Sequence, residues 1–278
     1  MTNKENSLKD APLILTSDNY YGSESAWKYL SVSQYKDFMK CEAAALSKLK
    51  GDWKPTSDPT ALLVGNYVHS YFESQEAHEQ FKDENKGSMF SKRKPYGLLK
   101  AFKVAEDMIE RIKDEKMFRL LWQGEPEHIV TGDLYGVEWK GRIDLLNVEK
   151  GYFVDLKTTA QLDKRFWSNK YGTYVSFVED YGYVLQIAVY EKLLELEFGK
   201  PFKGYIYAVT KQDPPDIAGI DIEANKRVFE LEQLERSIER VVNVKNGIDK
   251  PSNCGTCEYC RGNKELNGFI STDQLLER

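Results

Sequence analysis

The most chemically loaded stretch of the chain is "GRIDLLNVEKGYFVDLKTT", Gly141 to Thr159. Asp144 ends one apolar run, and Asp155 and Lys157 lie two residues apart on the next. In a β-strand, residues i and i+2 project from the same face, so Asp155 and Lys157 point together. If the two runs pair as a hairpin, Asp144 comes beside them. Two carboxylates and an ammonium are costly to bury for packing alone. They suit a site that binds Mg²⁺ or Mn²⁺ through hard oxygen ligands, with a cation beside a reacting water. The plain alternative is a solvated hairpin face. Against it stand Tyr152, Phe153, Val154 and Leu156, which make the strand too apolar to be bathed in water.

A second group is "CGTCEYC", Cys254 to Cys260, which holds three of the four cysteines; the fourth, Cys41, lies far upstream. The N-terminus, "MTNKENSLKDAPLIL", is polar and lacks the apolar core of a signal peptide. No apolar run approaches the twenty or so residues that span a bilayer. A cytoplasmic location and no membrane partner are therefore expected. In that reducing compartment, clustered thiols bind metal or do redox work more often than they form disulfides. Three cysteines at successive C-x-x-C spacings plus one remote cysteine suit an iron–sulfur cluster, wrapped at three corners by one loop. Zinc is the alternative, although its thiolate sites more often come as two C-x-x-C pairs.

The surrounding elements must position these groups. The chain has 278 residues, of which 41% are hydrophobic and 13% aromatic, enough for a large core and against global disorder. Its net charge of −5 argues against passive, nonspecific nucleic-acid binding, while leaving room for a local basic surface or carboxylate-held metal. Residues 1–12 read as a flexible tail. Periodicity predicts one helix over 29–51, with Ser31 or Ser33 as N-cap, Cys41 on it and Gly51 ending it. A second helix is expected over 61–81, a polar mobile stretch over 82–97, and a third helix, without an evident cap, over 98–122. From 127 to 159 the period changes to alternation, with glycines at the turns, as in three or four strands joined by hairpins. A fourth helix is expected over 175–199, a strand over 203–211, a turn at "DPPD" and a charged helix over 221–247. Helices on both sides of a β block favour a single α/β domain, 13–278, with a mixed sheet.

"GRID" followed by "VDLKTT" resembles the PD-(D/E)xK nuclease signature, in particular the RecB-like branch. Other motifs of that branch occur in the same order over roughly residues 65–190. "GNYVH", Gly65 to His69, is similar to its G-x-x-x-H helix. Glu127 in "GEPEHIV" stands where it has an acidic residue, with Glu125 as a rival. Gln186 and Tyr190 in "YVLQIAVY" match its Q-x-x-x-Y, and their i,i+4 spacing puts them on one helix face. Taken singly, each is weak; a lone histidine such as His69 is more often a satisfied core residue. The resemblance implies a restriction-endonuclease-like core, a central mixed β-sheet flanked by helices, with its catalytic hairpin at 127–159. It implies a metal held by His69, Glu127, Asp144, Asp155 and the Leu156 carbonyl. Lys157 would act on the attacking water and Gln186 would position the lysine or a substrate phosphate.

A subset of RecB-like nucleases carries a 4Fe–4S cluster, one cysteine before the core and three after it. Cys41, Cys254, Cys257 and Cys260 follow that order, although the last gap is shorter than in those families. The resemblance implies a structural staple that closes the 254–260 loop onto the N-terminal helix, with zinc still open. The layout is also similar to the phage and prophage exonuclease VIII (RecE-like) group. That group degrades linear double-stranded DNA, removing the 5′ strand, and works with a RecT-like single-strand annealing protein in recombination. Its processive relatives form homo-oligomeric rings. No P-loop occurs, so no helicase activity is expected. Lys92, Arg93 and Lys94, and Lys164, Arg165 and Lys170 with Phe166, Trp167 and Tyr171, are candidate DNA contacts, with a solvated charged loop as the equal alternative. Two other readings remain: a catalytically silent nuclease-fold scaffold and a zinc-containing DNA-binding protein.

Overall fold

The computed structural model of the chain describes residues 13–266 and 268–273. The tail expected over 1–12 lies outside the described residues. In chain order the elements are α1 (Ser23–Lys28), α2 (Val32–Lys40), α3 (Glu42–Lys50), α4 (Thr60–Glu73), α5 (Gln75–Met89), α6 (Lys100–Lys113) and α7 (Lys116–Leu121). Then come β1 (Glu125–Leu134), β2 (Val137–Asn147), β3 (Tyr152–Thr159), β4 (Phe166–Ser168) and β5 (Thr173–Val175). The chain continues with α8 (Phe177–Asp180), α9 (Tyr183–Phe198), β6 (Lys203–Thr210), β7 (Ile217–Asp221), α10 (Ala224–Lys245) and α11 (Glu258–Gly262).

The five-stranded sheet has the order β1-β2-β3-β6-β7. β1, β2 and β3 form an antiparallel meander. Gly136 and Gly151 take left-handed φ of 74° and 68° at its two turns, a conformation that costs glycine nothing. β6 runs parallel to β3, reached through the crossover helix α9, and β7 returns antiparallel. The sheet is therefore mixed. A short hairpin, β4–β5, stands apart from it.

Alternation along the central strands sorts their side chains into two cores. On β3 and β6, Phe153, Ile206 and Ala208 face one core, shared with α2, α3, α9 and α10. Val154, Leu156, Tyr207 and Val209 face the other, shared with α4 and α6. α9 is anchored by Val184, Leu185, Ile187, Val189, Leu193 and Leu194, all buried. Each such side chain contributes about 1.5–3 kcal/mol, so the position of α9 is set by apolar burial and not by the polar residues it carries.

Four expected long helices are broken in two. Over 29–51 the break falls at Cys41, whose backbone is extended at φ −165° and ψ 107°. Cys41 thus sits at a corner between α2 and α3, not on a helix, and the Ala43 N–H bonds the Ser252 carbonyl across the corner. Ser31 caps α2, accepting from the Gln34 N–H at 3.2 Å, and Gly51 closes α3 in the left-handed region. The second break is at Ser74, whose hydroxyl caps α5 by accepting from the Ala77 N–H. That corrects the mobile stretch expected over 82–97, since α5 continues to Met89. The third expected helix ends at Asp114, and α7 restarts with the Glu115 carboxylate as its cap. Similarly, the fourth is interrupted at left-handed Gly182, separating α8 from α9. Helical periodicity runs straight across these points, which is why it conceals them.

Candidate active site

β2 and β3 pair only from Leu145↔Val154 to Asn147↔Tyr152, whereas β3 goes on pairing with β6 to its end. Past Leu145 and Val154 the two strands part, and Asp144 and Asp155 are the first residues in the fork. There the Leu156 N–H donates to Asp144 Oδ2 at 2.6 Å in place of a ladder bond. The Leu156 amide thus ties Asp144 to β3 at the mouth of the fork.

Glu127 enters from β1. The flanking pairs Pro126↔Leu145 and His128↔Ile143 set it opposite Asp144. Its own backbone is left-handed, at φ 55°, which for a non-glycine residue costs about 1–3 kcal/mol. His69 comes from α4, its Nδ1 3.3 Å from Asp144 Oδ1. Ligand atoms of His69, Glu127 and Asp144 all lie within 4.8 Å of one another. Glu125, the rival, is exposed and meets His128 at 3.2 Å instead.

Asp155 stands beside this trio and is only 1% exposed. Gln186 Nε2 donates to its Oδ1 at 2.9 Å. Lys157 Nζ lies 2.6 Å from its Oδ2, a buried ion pair. The Lys157 ammonium also sits 4.8 Å above the Tyr183 ring. Tyr190 lies one turn beyond Gln186, its hydroxyl 3.4 Å from Gln186 Nε2. A Cβ on Gly141 would come within 2.6 Å of the Tyr190 ring. The glycine of "GRID" and the tyrosine of Q-x-x-x-Y are therefore one packed pair, and only a hydrogen at 141 lets α9 approach so closely.

The charges of the fork oppose and support one another in a definite order. Burial, and then the Asp144 carboxylate, push Glu127 up to about 7. Burial also raises Asp155 above the usual carboxylate range, against the pull of Lys157. For Asp144, burial works upward, but His69, Lys157 and the Leu156 amide outweigh it and hold the carboxyl low. Burial likewise opposes the Lys157 charge, but Asp155 and Asp144 overcome it and keep the ammonium protonated. Such opposed shifts within one cleft are typical of functional sites.

Three further residues of the site escaped the sequence. Arg142 pairs with Glu127 and lies 3.2 Å from Glu73 on α4; its place inside "GRID" could have flagged it. Lys36 on α2 stacks over Tyr183 at 5.5 Å and feels the Lys157 charge. No local pattern marks Lys36 or Tyr183, because a fold-level crossing brings them in. Two carboxylates and an imidazole within 4.8 Å of one another fit a hard divalent cation.

The expected DNA-contact residues divide. Trp167 is exposed on the β4–β5 hairpin, and Lys164 and Arg165 lie over Phe166 and Tyr174 at 4.9 and 5.5 Å. Phe166, Tyr181 and Tyr183 form an aromatic chain from this hairpin to Lys157. Lys170 and Tyr171 are instead tied to the buried Glu230 of α10. Lys92, Arg93 and Lys94 lie in the exposed loop between α5 and α6.

The cysteines converge at the corner between α2 and α3. Cys41 Sγ lies 3.6 Å from Cys260 Sγ, and Cys254 Sγ lies 3.9 Å from it. All four sulfurs lie within 4.8 Å of one another. The four cysteines of the expected staple are thus brought together as a set that could hold a metal.

A five-stranded mixed sheet whose central fork gathers Asp144, Asp155 and Lys157 defines a PD-(D/E)xK nuclease fold. The chain matches the PDDEXK-like domain of unknown function (DUF3799) over residues 31–263 and belongs to that family. It is also similar to a solved structure from Eubacterium rectale described as a "Putative exonuclease". The two share 36% identity, with 95% of this chain and 98% of that one covered and a TM-score of 0.87. The structure of SSO0001 matches at 16% identity and a TM-score of 0.30, over 77% of this chain and 90% of that one, which supports nothing further. No curated protein matches the chain. No helix among the described residues is long and apolar enough to cross a membrane.

Proposed function

We propose that the chain is a Mg²⁺-dependent deoxyribonuclease that degrades linear double-stranded DNA from its ends in the 5′-to-3′ direction. The observation that carries this reading is the fork, where His69, Glu127 and Asp144 converge beside the Asp155–Lys157 pair. The "Putative exonuclease" description of the 36%-identical structure supports attack from chain ends. The polarity, and a place in phage-type recombination beside a RecT-like annealing protein, rest on the likeness to the exonuclease VIII group.

His69, Glu127 and Asp144 would hold the divalent cation, with Asp155 and the Leu156 carbonyl completing its oxygen ligands. When bound, the cation polarises the scissile phosphate and acidifies a water. Lys157, kept protonated by Asp155 and Asp144, orients that water and stabilises the negative charge that develops on the phosphate. Gln186 fixes Asp155 through Oδ1 and so leaves Oδ2 turned to Lys157. Arg142 holds Glu127 against the strain of its backbone. Trp167 and the basic residues of the β4–β5 hairpin would meet the duplex end, stacking on a frayed base.

The test is digestion of linear duplex labelled at either 5′ or 3′ termini, beside covalently closed circles, with Mg²⁺. The expected result is release of 5′ label as short products while circles survive. Cutting of circles would overturn the exonuclease reading, and release from 3′ termini would reverse the polarity.

A further inference from the structure

The cysteine corner is built to fixed dimensions. A metal ion bound tetrahedrally to four thiolates at about 2.3 Å holds the sulfurs about 3.8 Å apart. The Cys41–Cys260 and Cys254–Cys260 separations of 3.6 and 3.9 Å bracket that edge. They are also far too long for a disulfide, whose sulfurs bond at about 2.05 Å, and all four cysteines are free thiols.

The loop is shaped for thiolates before any metal is considered. The Cys257 N–H points to Cys254 Sγ at 3.3 Å and the Cys260 N–H to Cys257 Sγ at 3.5 Å. Amide hydrogens aimed at sulfur stabilise the charged form of the ligand. The corner is also clamped from outside. The Glu42 carboxylate accepts from the Ser252 N–H at 2.7 Å and from Arg240 Nε and Nη2 at 2.9 and 2.7 Å. Glu258 accepts from the Thr56 N–H at 2.9 Å. Cys41 and Cys260 are buried with Ala43, and Ala44, Cys257 and Tyr259 pack against them. None of these residues belongs to the carboxylate fork.

We propose that Cys41, Cys254, Cys257 and Cys260 hold a single tetrahedral Zn²⁺ ion, and that this ion, not an iron–sulfur cluster, fastens the C-terminal loop to the α2–α3 corner. An all-thiolate tetrahedron selects zinc or iron among common divalent ions. Zinc has no redox chemistry, which suits a site that only joins two ends of a fold. Binding releases the thiol protons, so loading proceeds as the thiols ionise.

Elemental analysis of the purified full chain tests this, combined with its visible spectrum and its melting temperature before and after metal stripping. The expected result is about one zinc per chain and a colourless protein. Anaerobic incubation of the stripped chain with ferrous iron and sulfide should yield no cluster. Stripping should lower the melting temperature by about 10 °C or more, with recovery on adding zinc alone. Co²⁺ in place of zinc should give the intense visible bands of a tetrahedral thiolate site, weakened in Cys254→Ser, whose sulfur is exposed. Should Cys254→Ser fail to fold, the stripped wild type still reads the same bands and melting shift. About four irons with sulfide per chain and absorbance near ~400 nm would overturn the proposal. So would a single iron without sulfide, or a stripped chain that melts unchanged and takes up no Co²⁺.

Discussion

The carboxylate fork and the cysteine corner each gather ligand atoms from distant parts of the chain, yet they are held in opposite ways. The fork is under internal opposition. Glu127 has a strained backbone, and Glu127 and Asp155 are pushed up by burial. The corner shows the reverse: amides point at its sulfurs, and Glu42, Arg240 and Glu258 clamp its loop from outside. Groups that repel each other are tolerated where they bind and react with something else, whereas groups fully braced serve the fold. The fork should therefore be dispensable for folding and essential for cleavage, and the corner the other way round.

The largest effect expected from breaking this contrast is at Asp144. Asp144→Asn should lower DNA cleavage by about 10³-fold or more. Its melting temperature should fall by no more than a few degrees, since relief of Glu127 offsets much of the lost His69 and Lys157 attraction; turnover and thermal melting measured on one preparation check both halves. Next come the two metals. EDTA with the zinc retained should stop cleavage and leave the melting curve within about 2 °C, whereas loss of the thiolate-bound metal should move it by about 10 °C or more. A melting curve that collapses with EDTA while zinc remains bound would erase the contrast. Gln186→Ala should reduce kcat by about 10–100-fold with little change in KM, because it frees Asp155 without touching substrate; steady-state kinetics separate the two. The smallest effect belongs to Gly141→Ala, which should destabilise the chain by about 1–3 kcal/mol in urea unfolding as the Tyr190 ring is forced aside.

Much of the fork was legible because its chemistry is written in local spacing. Asp155 and Lys157 share a strand face, and the turn at Gly151 brings Asp144 beside them. The sheet was legible for the same reason, since alternation survives in "YFVDLKTT" and "KGYIYAVT". The helix breaks at Cys41, Ser74 and Gly182 were not, because apolar periodicity continues across them. Glu127 could be preferred to Glu125 only once the β1–β2 register was known. The roles of Arg142, Lys36 and Tyr183 depend on elements that meet only in the folded chain. The cysteine spacing pointed to a metal site but not to its dimensions, because loop spacing fixes the order of ligands and not the distance between sulfurs.

The most direct measurement compares hydrolysis of linear duplex DNA by the wild-type chain and by Lys157→Ala, each with Mg²⁺, with Mn²⁺ and with EDTA. The wild type should cleave with either cation and not with EDTA. Lys157→Ala, folded by its melting curve, should be at least about 10³-fold slower with both cations. A wild type inert with both cations, or a Lys157→Ala variant as fast as wild type, would contradict the account.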